Sequence, residues 1–259
     1  ICTAISAARH GIKVVLVQDR GVLGGNASSE IRMWICGAHG KDNRETGIIE
    51  EIMLENFFQN PQLSYSLWDM VLFDKTARQD NLTLLLNTSC LDANTENGKI
   101  ISITAWQSPC ETVHTIKARY FADCSGDSIL STLTGAHFRY GREAESEFGE
   151  SIEPKTADKK TMGMSCLFQV RETDKPQKFT PPEWAYKYCT DDDIPFREHD
   201  LSSNFWWIET GGEGDCIHDT DKCRDELLKI AYGVWDHIKN HGDHGCLLYT
   251  SDAADERSS

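Results

Sequence analysis

No stretch of this 259-residue chain reaches the length of about 20 apolar residues that a membrane span requires. Positive charge is scarce: 26 Lys and Arg stand against 41 Asp and Glu, a net charge of -15. Nucleic acid and anionic membranes both demand a basic face, so neither is an expected partner. The ten cysteines contain no C-x-x-C pair, and Cys216 and Cys223 are too widely spaced for the tight iron–sulfur or zinc motifs. Several lie in apolar surroundings, where cysteine acts as a small hydrophobe, so reduced thiols and a cytoplasmic setting are expected. In a reducing compartment the N-x-[ST] triplets at Asn26, Asn81 and Asn87 carry no meaning. No His-Glu-x-x-His occurs either. His237, His241 and His244 are expected at a solvated helix end, with no bound metal.

What is present begins with residues 1–10, a small-residue helix carrying Ala4, Ala7 and Ala8 and ended by Gly11. Residues 12–17 form a short buried strand, followed by Gln18, Asp19 and Arg20, then Leu23-Gly24-Gly25-Asn26. This order is the second half of a β-α-β dinucleotide-binding unit. Its first strand and its Gly-x-Gly-x-x-Gly loop are not in the sequence and are expected upstream of Ile1. Apolar spacing predicts helices over residues 44–58 and 66–79, the second with Ser66 as cap and Asp69 and Asp74 on other faces. A strand over 81–87 follows. Asn97-Gly98 signals a tight hairpin between arms 90–95 and 99–107. Residues 111–118 continue the meander, 120–127 read as a strand opening into Ser125-Gly126-Asp127, and 128–134 as a helix closed by Gly135. The alternation predicts a mainly parallel α/β sheet with an inserted meander.

The second half reads differently. Strands are expected at 162–170 and 205–208, a Pro- and acid-rich loop at 179–198, and an amphipathic helix at 221–240. The division expected is a dinucleotide-binding domain over 1–138 and a mixed α+β substrate domain over 139–245. Residues 246–259 are similar to the translation of a sequencing adapter and are set apart from the fold.

Three segments carry candidate chemistry. An acidic side chain at the end of the second strand of a dinucleotide fold accepts the ribose hydroxyls. Here Gln18 holds that place, with one acceptor oxygen and one donor amide, and Asp19 is the neighbouring acid. Arg20 admits a rival reading, a 2′-phosphate partner in an NADP site. Gly24 and Gly25 let backbone amides approach a phosphate or flavin closely, and Asn26, Ser28 and Ser29 carry donors. Ser125, Gly126 and Asp127 place a small turn against a bound cofactor. A plain strand-end, a common turn and a simple corner are the ordinary readings of the same residues.

At these positions the chain resembles the two-dinucleotide-fold flavoproteins, in the branch of FAD-dependent oxidoreductases that includes distant relatives of the heterodisulfide reductase flavin subunit. The resemblance runs over residues 1–245 and rests on 14–18, 23–28, 31–40 and 121–127 with Gly135-Ala136. It departs at Gln18, where the family carries an acid, and at Ser125, where threonine is usual. It also lacks the C-terminal strand and Gly-Asp that close the flavin site. The resemblance implies FAD, a partial Rossmann-like FAD/NAD(P)-binding domain, a small-molecule substrate, and a redox partner protein or homo-oligomer. It also implies that residues 31–39 pass near the flavin ring. Cys36 is then a candidate redox thiol, His39 a proton donor and Arg32 an anchor for an anionic substrate or the reduced flavin. Packing is the bland alternative for Cys36, and an Arg44–Glu45 surface pair that for its neighbours. A nicotinamide dehydrogenase, an electron-transfer subunit and a non-catalytic α/β binding domain are the competing functions.

Overall fold

The chain is described from a computed structural model, over residues 1–33, 35–38, 40–43, 45–166, 168, 170–172, 177–195, 197, 205–241 and 249–251. It divides into two units, Ile1–Phe138 and Arg139–Ser259. Both mix helix and strand.

In the first unit the alanine-rich opening forms α1 (Cys2–Arg9), and the β-branched run that follows forms β1 (Val14–Val17). Next come α2 (Ile48–Gln59) and α3 (Tyr65–Ala77). The helix expected from residue 44 begins only at Ile48, because Gly47 takes φ +73° and interrupts the helical backbone. Ser66 does not cap α3, which begins one residue earlier. Instead the buried Asn60 side chain staples the helix–helix corner, accepting from Ser64 N at 2.8 Å and donating to Ser64 O at 2.7 Å. β2 (Leu82–Leu85) pairs in parallel with β1, Val14 opposite Leu82. Ile5, Leu23, Ile52, Val71 and Leu72 close a core among α1, α2, α3 and the residues after β1.

The hairpin forms where Asn97-Gly98 predicts it. β3 (Thr88–Glu96) and β4 (Lys99–Gln107) meet with Glu96 opposite Lys99. Asn97 and Gly98 take φ +51° and +74°, the doubly left-handed turn that matches strand twist. β5 (Thr112–Lys117) completes an antiparallel sheet in the order β3-β4-β5. α4 (Ile129–Thr134) ends at Gly135.

Two expectations fail here. The mainly parallel sheet reduces, among the described residues, to the single parallel pair β1-β2, and the meander is a separate sheet. Residues 120–124 form no strand, and Tyr120 stands 85% exposed. A strand is held by ladder bonds to a neighbour. The described residues offer this segment none, and its turn is satisfied by side chains.

The second unit packs around one helix, α6 (Thr220–Asn240), after the short α5 (Glu145–Phe148). Leu227, Ala231, Val234, Trp235 and Ile238 make its buried stripe, against Ile194, Phe205 and Ile208. Phe168 stacks on Phe205 with ring centroids 4.6 Å apart and meets Trp235 edge-on. The expected strand over 162–170 is two short ones. β6 (Met164–Ser165) pairs with β8 (Glu209–Thr210), and β7 (Val170–Glu172) with β9 (Tyr249–Ser251). Residues 205–207 form a 3-10 turn instead of a strand, since an apolar run of that length satisfies either geometry once packed.

The histidine expectation also changes. His237 is completely buried, its Nδ1 2.9 Å from Tyr188 O and its Nε2 3.2 Å from an Asp191 carboxylate oxygen. It lies three residues beyond Val234, on the packed side of α6. His241 stays partly exposed, 3.5 Å from the buried Asp236, and His244 lies outside the described residues. Among the described residues no helix is long and apolar enough to cross a membrane, and no group of three or more His, Cys, Asp or Glu is arranged to hold a metal.

Candidate functional site

At the end of β1 the chain turns away from the sheet. Gln18 still belongs to the ladder: its N–H donates to Leu85 O at 2.9 Å and its carbonyl accepts from Thr88 N at 2.8 Å. Its side-chain amide donates to Val22 O at 3.2 Å. One N–H of that amide is thus taken, which leaves its second N–H and its acceptor oxygen for a hydroxyl. Asp19 is exposed and supplies a full carboxylate at the next position. Arg20 is held by Glu30 at 2.9 Å. That bond lifts the guanidinium above its ordinary pKa against the opposing effect of burial, and the charges of Glu30, Asp19 and Asp127 add to the lift. Glu30 already occupies Nη1 and neutralises the charge that a 2′-phosphate would seek, which weakens the NADP reading of Arg20.

The turn after β1 is built on two left-handed glycines, Gly24 at φ +113° and Gly25 at φ +57°. They differ in what surrounds them. A Cβ on Gly24 would stand 2.9 Å from Leu72 Cδ1 and 3.3 Å from Ser28 N, so this glycine is there for packing. A Cβ on Gly25 would meet nothing within 4 Å, so its backbone faces open space. Asn26 beside it is exposed, with its carbonyl accepting from Met33 N at 2.8 Å.

Ser28 does not face a ligand. It is fully buried, its hydroxyl donating to Gly25 O at 2.7 Å and accepting from Glu30 N at 3.3 Å. Its part is to hold the turn. Helix α3 clamps the same turn from outside, with Trp68 Nε1 donating to Ala27 O at 2.7 Å and Asp69 accepting from Ser29 N at 2.9 Å. Asp69 thus turns its face of α3 toward the turn after β1.

The third segment is organised by Asp123, which sequence reasoning passed over. Its carboxylate accepts Ser125 N at 3.0 Å, Ser125 Oγ at 2.7 Å and Leu130 N at 2.8 Å. Burial pushes this carboxyl up, but the bonds from Ser125 and Leu130 outweigh it and hold it below the ordinary range. Ser125 Oγ in turn accepts Asp127 N and Ile129 N, both at 3.3 Å. Gly126 has φ +88° with open space beyond it. The Asp-x-Ser spacing before a glycine is the sequence signal for such a side-chain turn.

The Asp127 charge of this turn is the smallest of those that act on Arg20. The candidate catalytic residues do not converge. Arg32, at φ +64°, is anchored to its own loop and to α3. Its N–H donates to Ser28 O, its Nε to Ser29 O, its carbonyl accepts from Tyr65 OH at 2.7 Å, and its guanidinium lies 5.9 Å from the Tyr65 ring centre. Cys36 is exposed in a cleft of about 260 Å³ against α2, lined also by Ile35, Glu45, Met53, Leu54 and Phe57. The packed role weighed for it is therefore not what the structure shows. His39 and Arg44 lie outside the described residues; Glu45 packs against Gly37.

Comparison with protein families matches residues 1–243 to the family described as FAD dependent oxidoreductase. Comparison with curated proteins yields no match, and comparison with solved structures yields none.

Proposed function

The chain belongs to the FAD dependent oxidoreductase family, and from that premise we propose that its first unit carries the adenosine and pyrophosphate end of a Rossmann-like flavin site. FAD is the cofactor of this oxidoreductase. When bound it supplies the acceptor for a hydride or an electron pair taken from substrate.

The observation that carries the assignment is the open left-handed backbone at two glycines, Gly25 in the turn after β1 and Gly126 in the turn ahead of α4. A ligand phosphate needs backbone that no side chain screens, and a glycine with open space at its Cβ position suits that need. Asp19 and the Gln18 oxygen are the acceptors for ribose hydroxyls. Asn26 supplies an amide donor, and Asp127 faces the nucleotide beside Arg20. Ser28, Ser125 and Asp123 keep these turns in shape without touching the cofactor. Arg32 and Cys36 belong to the same loop; Cys36 is the exposed thiol available to a small-molecule substrate, and Arg32 is tied to that loop through Ser29 O and to α3 through Tyr65.

Titration of the purified full chain with FAD, followed by quenching of flavin fluorescence, tests this. Gly25→Ala and Gly126→Ala are each expected to weaken binding about tenfold, equivalent to about 1.4 kcal/mol. Gly98→Ala, in the hairpin turn, should leave it unchanged. Equal affinity in all three variants sinks the assignment.

A further inference from the structure

Cys216 and Cys223 are not a spaced motif in sequence, yet the fold brings their sulfurs to one point. Gly211, at φ +88°, has no side chain, and the volume its Cβ would occupy is filled by both thiols. Cys216 Sγ lies 2.7 Å from that Cβ position and Cys223 Sγ 2.9 Å from it. Cys216 is buried in the turn ahead of α6 and donates its S–H to Gly211 O at 2.8 Å. Cys223 sits in the first turn of α6, half-buried. Thr220 Oγ1 bridges the two elements by donating to Cys216 O at 2.7 Å. Both thiols are free. Burial and the adjacent Cys216 sulfur push the Cys223 thiol up, with Asp219 adding to the rise and Lys222 opposing it.

We propose that Cys216 and Cys223 are a reversible dithiol–disulfide pair, oxidised by low-molecular-weight disulfides, that locks the Gly211 turn to the start of α6. Accessibility sets the order of the steps. Cys223, the less buried, attacks one sulfur of the oxidant as its thiolate; a Cys223–S–S–R bond forms and one RS⁻ leaves. Cys216 then attacks the Cys223 sulfur, the internal disulfide forms and the second RS⁻ leaves. The two protons lost by the protein thiols convert both leaving groups to RSH. The protein pair is oxidised by two electrons and the small disulfide is reduced by two. Gly211 O keeps a partner when the Cys216 S–H is lost, because Gly214 N already donates to it at 3.0 Å.

The test is incubation of the native full chain with oxidised glutathione, alkylation of remaining thiols, and tryptic mass mapping without reduction. Trypsin cuts after Lys222, so an internal bond appears as two linked peptides, each lacking one hydrogen and carrying no glutathione. The exposed Cys36, Cys110, Cys124 and Cys189 serve as internal controls and are expected to carry the adduct. In Cys216→Ser, the adduct should stay on Cys223. In Cys223→Ser, Cys216 should remain unmodified. Separate glutathione adducts on Cys216 and Cys223 in the native chain, no change at either, or linkage of either one to Cys166 would each overturn the proposal. The native-chain result needs no variant, so misfolding of a serine variant does not blunt it.

Discussion

Glu51 of α2 receives both terminal nitrogens of Arg9 of α1, at 2.7 and 2.8 Å, and Lys75 Nζ of α3 at 3.2 Å. One carboxylate therefore ties together three helices of the first unit, α1, α2 and α3. The Arg9 hydrogen bond is the main reason that its pKa falls to about 2; burial opposes the fall and Lys75 assists it. A depressed carboxyl stabilises the fold above its unfolded pKa of about 4.3, and that contribution is lost as pH drops toward 2. The Glu51 side chain is 38% exposed, so solvent screening reduces the expected worth to about 1 kcal/mol. Glu51→Gln should lower urea-unfolding stability by that amount at neutral pH. The gap from wild type should close as pH falls from 4.3 to 2, and a gap unchanged across that range would show that the pair contributes nothing through its charge.

Gly24→Ala and Gly25→Ala separate packing from ligand access. Both impose a left-handed backbone on alanine, at about 1 kcal/mol. Only Gly24→Ala also presses on Leu72 in the core, adding about 1–3 kcal/mol. Thermal unfolding should rank wild type above Gly25→Ala and Gly25→Ala above Gly24→Ala. The reverse order of the two variants would contradict the packing described at Gly24.

Ser28→Ala removes a buried hydroxyl that bonds on both sides. The expected loss is about 1 kcal/mol, because the bonds to Gly25 O and from Glu30 N are both lost. Chemical denaturation measures it. A neutral substitution would mean that the turn is held by Trp68 and Asp69 alone.

Asp123→Asn should weaken FAD binding several-fold at neutral pH by loosening the Ser125–Asp127 turn. The carboxyl titrates below its ordinary value. Its ordering effect is therefore complete above the usual carboxylate range and lost as pH falls through the folded pKa. Acid titration of FAD affinity should show this loss in wild type and not in Asp123→Asn. Parallel acid profiles for the two proteins would remove Asp123 from its positioning role.

Local chemistry made much of this fold legible. Asn97-Gly98 announces its hairpin because few residues other than glycine and asparagine accept a left-handed backbone. α6 shows in its apolar period and α1 in its alanines. Residues 120–124 were misleading because a strand depends on a neighbour that its own sequence does not describe. Phe205–Trp207 were misleading because a short apolar run has no period of its own. His237 was assigned to solvent by residue type, although its place on the wheel of α6 lies beside Val234. In the candidate site, the left-handed turns at Gly25 and Gly126 were legible from residue type. Trp68 and Asp69 were not, since they reach the turn from a helix distant in sequence. Asp123 was within reach of sequence reasoning through its two-residue offset from Ser125.

The hairpin closes between neighbours in sequence, Glu96 and Lys99, whereas β1 pairs with β2 only when Val14 reaches Leu82. Closing the longer loop costs more chain entropy before any contact rewards it. On loop length alone the meander is expected to form first, and β1, with the turn that follows it, to join later. A nucleotide held at Gly25 would bind only after that last step, so its binding would draw the chain out of any partly folded state in which the meander is already complete.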